Sequence, residues 1–375
     1  MTKPVLIIGG GLSGLTAAHR LHQAGQEFLL LEARQRLGGR ILSADATGQP
    51  SPDGFDLGPS WFWPGMGSAI DPVVKELGLA SFLQHSAGST LFQRDPQTPP
   101  QRYPGFRQEP TSMRFAGGTA ALVSALAVGL PADDILLDAH VTEVRLVAEG
   151  VEVHYRIAGC EQVVTAAQVV FALPPRLLQA TIRFTPALDA ATARNWRDTP
   201  TWMAPHAKFF ALYNRPFWRE VGLSGDANSQ VGPLVEIHDA TTASGKAALF
   251  GFVGVPAAGR AKVGQDAVVA AALRQLAHLF GPEAGIPHAT LYKDWAADPL
   301  TATSADASAG GHPYPGGLAA VPGDWDGRII LAGSEAARRE PGYLAGAVEA
   351  AEHAVLEVMN RLERAGSLPS HAASV

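Results

Sequence analysis

The chain has 375 residues, 46% of them hydrophobic and 17% charged, which is apolar material for a sizeable core and length enough for two domains. A formal net charge of −6 with no basic run argues against nucleic acid and anionic membrane surfaces as partners. No apolar run reaches the length of a bilayer span, so no membrane span is expected.

No positively charged leader with an apolar core precedes Val5, and a cytoplasmic protein is expected. Val5, Leu6, Ile7 and Ile8 form an apolar run of the kind a buried parallel strand needs, and Gly9, Gly11 and Gly14 follow at GxGxxG spacing. Gly9 suits a tight turn, Gly11 lets backbone approach a pyrophosphate, and Gly14 lets the next helix lie close to the strand. Leu12, Leu15, Ala18 and Leu21 recur at helical spacing up to Gly25, so the helix N-terminus, with Leu12 and Ser13, points at the phosphates. Phe28 to Leu31 read as a second buried strand ending in Glu32, eighteen residues after Gly14, where a carboxylate can accept from ribose hydroxyls. The unit predicts a dinucleotide site and leaves NAD and FAD open.

The string EARQRLGGR, with Glu32, Ala33, Arg34, Gly38, Gly39 and Arg40, resembles the second signature of the flavin-containing amine oxidase family, and that resemblance implies FAD. Adjacent glycines let backbone pass close to a flat cofactor, and arginines can pair with phosphate. The resemblance also implies the fold class: α/β, a Rossmann-like FAD-binding domain of the glutathione-reductase type with a discontinuous α+β substrate domain on a mixed sheet. The next segment, DLGPSWFWPG, resembles the family loop that passes near the flavin ring, which places Gly58, Pro59 and Ser60 at the cofactor. Trp61 and Trp63 read equally as walls of a substrate site or as packing.

Residues 86–112 are rich in Pro, Gln and Arg without a clear period, and read as an irregular excursion. Barely forty residues separate Asp71 from Arg114, where typical family members carry a long helical insertion that roofs the substrate channel. An unusually open active site, or one covered by a partner subunit, is the expectation, and an oligomer is compatible with it.

RFAGGTAALVSALA predicts a short helix after Gly117 and Gly118, and the stretch LDAHVTEVRLVAEGVEVHYRI predicts two strands joined at Glu149 and Gly150. In the resembled family the backbone at the position of Val141 contacts adenine. Cys160, the sole cysteine, excludes an internal disulfide and a cysteine-based metal cluster and reads as a bystander in a hairpin turn; no metal is expected. VVFALPPRLL predicts a strand stopped by Pro174 and Pro175.

Strands KFFALY and AALFGFVGV and a helix over Gln265 to Phe280 are predicted in the substrate domain. Lys208 enters the first of these strands beside Ala207, Phe209 and Phe210, which is costly unless its ammonium reaches water or an acceptor. It lies eight residues before Pro216 in a segment similar to the one whose lysine holds a water against flavin N5 in the family, and a snorkelling surface lysine on an edge strand is the alternative.

Counting from Trp295, the family's second cage tyrosine falls at Ala305 and the flavin-tethering cysteine of some relatives at Ser304, so noncovalent FAD is expected. His312 and Tyr314 lie in a glycine and proline loop, with His312 a candidate substrate residue. Arg328 to Ala332 predict a strand, followed by Gly333, Ser334 and Glu335, then a helix opening near Gly342, Tyr343, Leu344 and Ala347. The segment resembles the family's C-terminal flavin segment, in which the glutamate contacts the ribityl chain and the helix N-terminus faces the pyrimidine end of the ring, where negative charge develops on reduction. Tyr343 matches one of the two tyrosines that align the amine in monoamine oxidases.

The expected domains are 1–75, 113–194 and 299–365 for FAD, 76–112 and 195–298 for substrate, and a tail at 366–375. The expected activity is oxidation of an amine to an imine by hydride transfer to flavin N5, with O2 as electron acceptor, giving hydrogen peroxide; the catalytic candidates are Lys208 and Tyr343. A flavin-dependent desaturase or oxidase of an apolar or heterocyclic substrate, and a noncatalytic FAD-binding factor, stay open as alternatives.

Overall fold

The computed structural model describes residues 4–65, 68–105, 109–307 and 311–366; residues 367–375 of the expected tail lie outside them. The chain groups into two compact units, each assembled from separate segments: 1–39, 126–200 and 312–375, and 40–125 and 201–311. Residues 40–75, 113–125 and 299–311, expected with the cofactor domain, fall in the second unit, and 195–200 fall in the first. This partition describes packing, not which residues meet a cofactor.

Among the described residues, the first unit is built on a five-stranded parallel sheet in the order Ile329–Leu331, Val169–Phe171, Val5–Ile8, Phe28–Leu31, Ile135–Leu136. Val5–Ile8 is buried at every position because neighbours cover both of its faces, which is why it reads as an unbroken apolar run rather than an alternating one. The helix Leu12–Gln23 returns the chain to the second strand, and Gly25 takes the left-handed φ of +70° that ends it. Beside it packs the C-terminal helix Leu344–Gly366, which buries Val348, Ala351, Ala354 and Val358 on one stripe. A four-stranded sheet, in the order Cys160–Ala166, Gly150–Ile157, His140–Val147, Arg183–Thr185, carries the expected hairpin, and Cys160 opens its outer strand, exposed. Phe184 meets Trp196 and Trp325 edge-on at 5.7 and 5.5 Å in the core of this unit.

The second unit, among the described residues, carries a seven-stranded mixed sheet in the order Ala289–Asp294, Ala207–Tyr213, Ala247–Val253, Leu234–Asp239, Leu223–Ser229, Ser89–Gln93, Gln101–Tyr103. Only the Leu223–Ser229 and Ser89–Gln93 pair is parallel. One face packs under the helix Gln265–Phe280 through Phe209, Ala211, Leu249 and Leu276; the other carries Phe210, Leu212 and Phe250 against Phe55 and Leu57. Successive residues of Ala207–Tyr213 therefore serve two cores, and all seven are buried.

The irregular excursion expected at residues 86–112 is corrected: Ser89–Gln93 and Gln101–Tyr103 are the last two strands of this sheet. The outermost strand is exposed at all three residues, so it needs no apolar pattern, and the buried Gln93 accepts from Ser229 at 2.8 Å, so a polar residue fills a core position. No helix among the described residues is long and apolar enough to cross a membrane.

Candidate functional site

In the first unit the glycine turn shows which glycines the chain itself requires. A Cβ at Gly14 would run into the Gly9 carbonyl, and one at Gly9, whose φ is +104°, would lie 2.8 Å from the Ala172 oxygen. Gly11 is different. Its φ is −73°, ordinary for any residue, and an added Cβ would meet nothing closer than Gly39 Cα at 4.0 Å. The space beside Gly11 lies at the N-terminus of Leu12–Gln23, where the cap offers no side-chain hydrogen bond and the first-turn amides lack intrahelical partners. An open cradle of donors at a helix N-terminus fits a phosphate. Ser13 instead donates its hydroxyl to the Ala332 carbonyl, tying the helix start to the C-terminal strand.

Glu32, buried at the end of Phe28–Leu31, accepts from the Gly10 amide at 2.6 Å and the Arg34 amide at 2.7 Å. Each carboxylate oxygen has a second lone pair, so the clamp is compatible with ribose hydroxyls as further donors. Gly38 donates to the Gly10 carbonyl at 2.8 Å and bridges to Gly11, while Gly39 takes φ +57° with room for little else against Gly11. Ala33 follows the clamp in sequence. Val141 lies at the irregularity of the hairpin, where the register shifts before Glu143.

At the C-terminal segment a Cβ at Gly333 would run into the Leu173 carbonyl, so packing alone explains that glycine. Ser334 donates to Glu335 at 2.9 Å, and both are buried. Gly342 has φ +83° and donates to the Ser334 carbonyl at 3.0 Å; the helix begins at Leu344, and Ala347 donates to the Tyr343 carbonyl. The structure brings His312 and Tyr343 together, ring centroids 4.7 Å apart at 34°, whereas Tyr314 is 89% exposed.

In the second unit Lys208 is 4% exposed on a strand flanked on both sides, which removes the edge-strand reading. Its Nζ donates to the Gly58 carbonyl at 2.6 Å, the Asp56 carbonyl at 3.2 Å and Ser60 Oγ at 2.9 Å, and lies 4.6 and 5.3 Å from the ring centroids of Phe250 and Phe252. Gly58 and Ser60 thus hold the lysine; Pro59 between them accepts from the Thr119 hydroxyl at 2.7 Å. Burial is the chief cause that drives the Lys208 ammonium down to about 7. Arg40 donates to the Trp202 carbonyl at 3.0 Å.

Trp61 packs against Phe250 at 5.5 Å and edge-on to His238 at 4.9 Å, and donates to Gln84 at 2.8 Å; Trp63 donates to Ser112 at 2.9 Å. His238 lies between Asp226 at 2.9 Å and Glu236 at 2.7 Å. Burial disfavours its imidazolium, yet the two carboxylates outweigh this and raise it to about 9. Sequence reasoning missed His238, Phe250, Phe252 and Asp56. The one available signal was a charged residue framed by Phe55 and Leu57, which asks for a buried partner. Ser304 and Ala305 are exposed on a short turn of helix, and no group of three or more potential metal ligands occurs among the described residues.

Residues 101–359 match the family described as flavin containing amine oxidoreductase, and residues 7–77 match the NAD(P)-binding Rossmann-like domain. AofH of Mycobacterium tuberculosis, named as a flavin-containing monoamine oxidase, is 25% identical over 469 aligned positions that cover 95% of this chain and 96% of that protein. The aligned span exceeds the 375 residues of this chain, so that relative carries segments absent here. Polyamine oxidase 5 of Oryza sativa subsp. japonica is 36% identical over 92 residues, 24% of this chain and 18% of the rice protein. Among solved structures, putrescine oxidase bound to putrescine superposes with a TM-score of 0.79 at 21% identity, covering 96% of this chain and 100% of the other. Cyclohexylamine oxidase from Brevibacterium oxydans superposes with the same TM-score at 21% identity, covering 97% and 100%. The Rossmann-like domain and the mixed-sheet domain of this chain are thus the fold of those oxidases.

Proposed function

The chain belongs to the flavin containing amine oxidoreductase family and is an FAD-dependent oxidoreductase, and from this we propose that it oxidises a small amine to an imine on noncovalently bound FAD. FAD, when bound, would supply two-electron redox chemistry: a hydride from the carbon bearing the amine nitrogen and the proton lost by the resulting iminium would end on O2 as hydrogen peroxide, and water would hydrolyse the released imine.

The observation that supports this reading is the buried Lys208, whose Nζ is bonded to two carbonyls and a hydroxyl, in a segment that resembles the one whose lysine faces flavin in the family. In the proposal Lys208 holds a water for flavin N5, and Tyr343 aligns the amine with its ring. Gly11 and the amides of Leu12, Ser13 and Gly14 receive pyrophosphate, Glu32 receives the adenosine ribose, and Gly38, Gly39, Arg34 and Arg40 line the approach. Ser334, Glu335, Gly342, Leu344 and Ala347 serve the ribityl and ring end. The N-terminus of Leu344–Gly366 favours the charge of the reduced ring. Trp61, Trp63 and His312 are proposed substrate walls.

Noncovalent attachment is supported by the exposed Cys160, the chain's sole cysteine, which opens an outer strand of the four-stranded sheet. Acid precipitation of the yellow protein tests it: FAD released to the supernatant is the expected result, and flavin retained in the pellet would contradict it. Lys208→Met is expected to slow turnover or flavin reoxidation while FAD stays bound, and unchanged kinetics would remove the lysine from the reaction.

A further inference from the structure

Tyr343 stands on a fixed backbone in the first unit. Its amide donates to the Glu340 carbonyl at 3.3 Å, its own carbonyl accepts from the Ala347 amide at 3.0 Å, and the Gly342 amide before it donates to the Ser334 carbonyl at 3.0 Å. A Cβ at Gly346 would run into the Glu340 carbonyl, so the turn before Tyr343 lies hard against the first turn of Leu344–Gly366. The side chain is less enclosed. Tyr343 is 37% exposed, and rotation about its side-chain bonds would carry an exposed ring among several positions unless a neighbour holds it.

His312 is such a neighbour, its ring centroid 4.7 Å from that of Tyr343 and its plane inclined by 34°. The imidazole is tethered to its own loop: Nδ1 lies 2.9 Å from the Pro313 carbonyl, an oxygen that can only accept, so Nδ1 carries the proton and donates it. The loop is anchored in turn. The Gly316 amide donates to the Arg338 carbonyl at 2.8 Å, and a Cβ at Gly317, whose φ is +75°, would lie 3.2 Å from the Ala336 carbonyl oxygen. The segment that carries His312 thus rests on the segment that leads into Tyr343.

Ring spacing limits what the pair can do. Carbon atoms in contact lie about 3.5–4.0 Å apart, so a group held between two rings needs them about 7 Å apart. At 4.7 Å the two rings touch, and no amine passes between them.

We propose that His312 is a positioning residue for Tyr343: its part in the substrate wall is exercised through the tyrosine, whose one face it covers and fixes, so that the opposite face is the one offered to the amine. The catalytic meaning of this rests on the amine-aligning role proposed for Tyr343. The hold of one ring on the other does not. Hydride transfer is sensitive to such a hold, because a misplacement of about 1 Å costs on the order of a hundredfold in rate.

The first test is NMR relaxation of the FAD-loaded full chain labelled at the tyrosine ring carbons, where six tyrosines give few signals and Tyr343→Phe identifies the relevant ones. The Tyr343 ring is expected to be ordered in the wild type, to gain fast motion in His312→Ala and in the second ringless variant His312→Asn, and to stay ordered in His312→Phe. A ring that is mobile in the wild type, or as ordered in the ringless variants, overturns the inference. The second test is anaerobic flavin reduction with benzylamine and butylamine as probes. His312→Ala is expected to lower the limiting rate by about tenfold at unchanged FAD content, and His312→Phe to stay within about twofold of wild type. Added to Tyr343→Ala, His312→Ala should cost nothing more, whereas an equal further loss would show that the histidine acts by itself and overturn the inference. A wild-type rate in Tyr343→Ala, or no reduction of the wild type by either probe, counts against the amine-aligning reading, while the relaxation result still decides whether His312 fixes the ring.

Discussion

Lys208 Nζ sits 4.6 Å from the ring centroid of Phe250, on a strand whose seven residues are all buried. Register explains the contact: Lys208 pairs with Phe252 and Phe210 with Phe250, so lysine and rings share one face of the sheet. A cation over an aromatic face gains on the order of 1 kcal/mol, too little to offset burial of a charge, and the lysine falls from 10.5 to about 7.

That depression makes stability depend on pH in a stated direction. Between about 7 and 10.5 the unfolded chain binds a proton at Lys208 that the folded chain does not, so stability rises with pH across this window. The stability of the wild type relative to Lys208→Met is expected to increase by about 2 kcal/mol between pH 7 and 9 in denaturant titrations. A flat difference would mean that the lysine keeps its proton in the fold.

His238 acts in the opposite sense. Its folded value of about 9 lies above the ordinary 6.5, so the stability it contributes is complete below 6.5 and is lost as pH climbs through 9. Relative to His238→Gln, the wild type should lose on the order of 3 kcal/mol between pH 6 and 10. The same imidazole packs edge-on to Trp61, so Trp61 fluorescence should report the transition near pH 9, and a signal constant across that range would count against the assignment.

Gly11 and Gly14 are expected to separate folding from cofactor binding. Gly11→Ala introduces a methyl into open space at a permitted φ, so the cofactor-free protein should stay within about 0.5 kcal/mol of wild type and yet be purified with little flavin. Gly14→Ala drives the same methyl into the Gly9 carbonyl and should prevent folding. Full flavin content in Gly11→Ala would show that the cradle is not where pyrophosphate binds.

Glu32 is expected to matter even before a cofactor arrives. Its carboxylate holds the amides of Gly10 and Arg34, and Glu32→Ala leaves both without that acceptor, a loss of about 1–3 kcal/mol visible in the urea midpoint of the cofactor-free protein. A midpoint equal to wild type would leave the residue with a ligand role alone.

Much of this was legible in the sequence wherever periodicity or cost left a trace. The glycine turn, its helix and the helix Gln265–Phe280 lie where the pattern put them: Leu12, Leu15, Ala18 and Leu21 are buried in the first helix, and Val268, Ala272, Leu276 and Leu279 in the second. Lys208 announced itself as a charge that an apolar strand cannot accept without partners. The partners did not. Gly58 and Asp56 hold it through backbone carbonyls, which carry no side-chain signature. His238 gave no signal in the sequence because Asp226, one of its two carboxylate partners, comes from the neighbouring strand. Ser89–Gln93 stayed hidden for another reason: a buried glutamine breaks the alternation that marks a strand.

The most direct test of the central claim is anaerobic mixing of the FAD-loaded protein with a panel of primary and secondary amines while flavin absorbance is followed. Bleaching of the oxidised flavin by at least one amine, restored on admitting O2 with one equivalent of hydrogen peroxide released, is the predicted result. A flavin that stays oxidised with every amine, but bleaches with an apolar or heterocyclic substrate or with none, would contradict it.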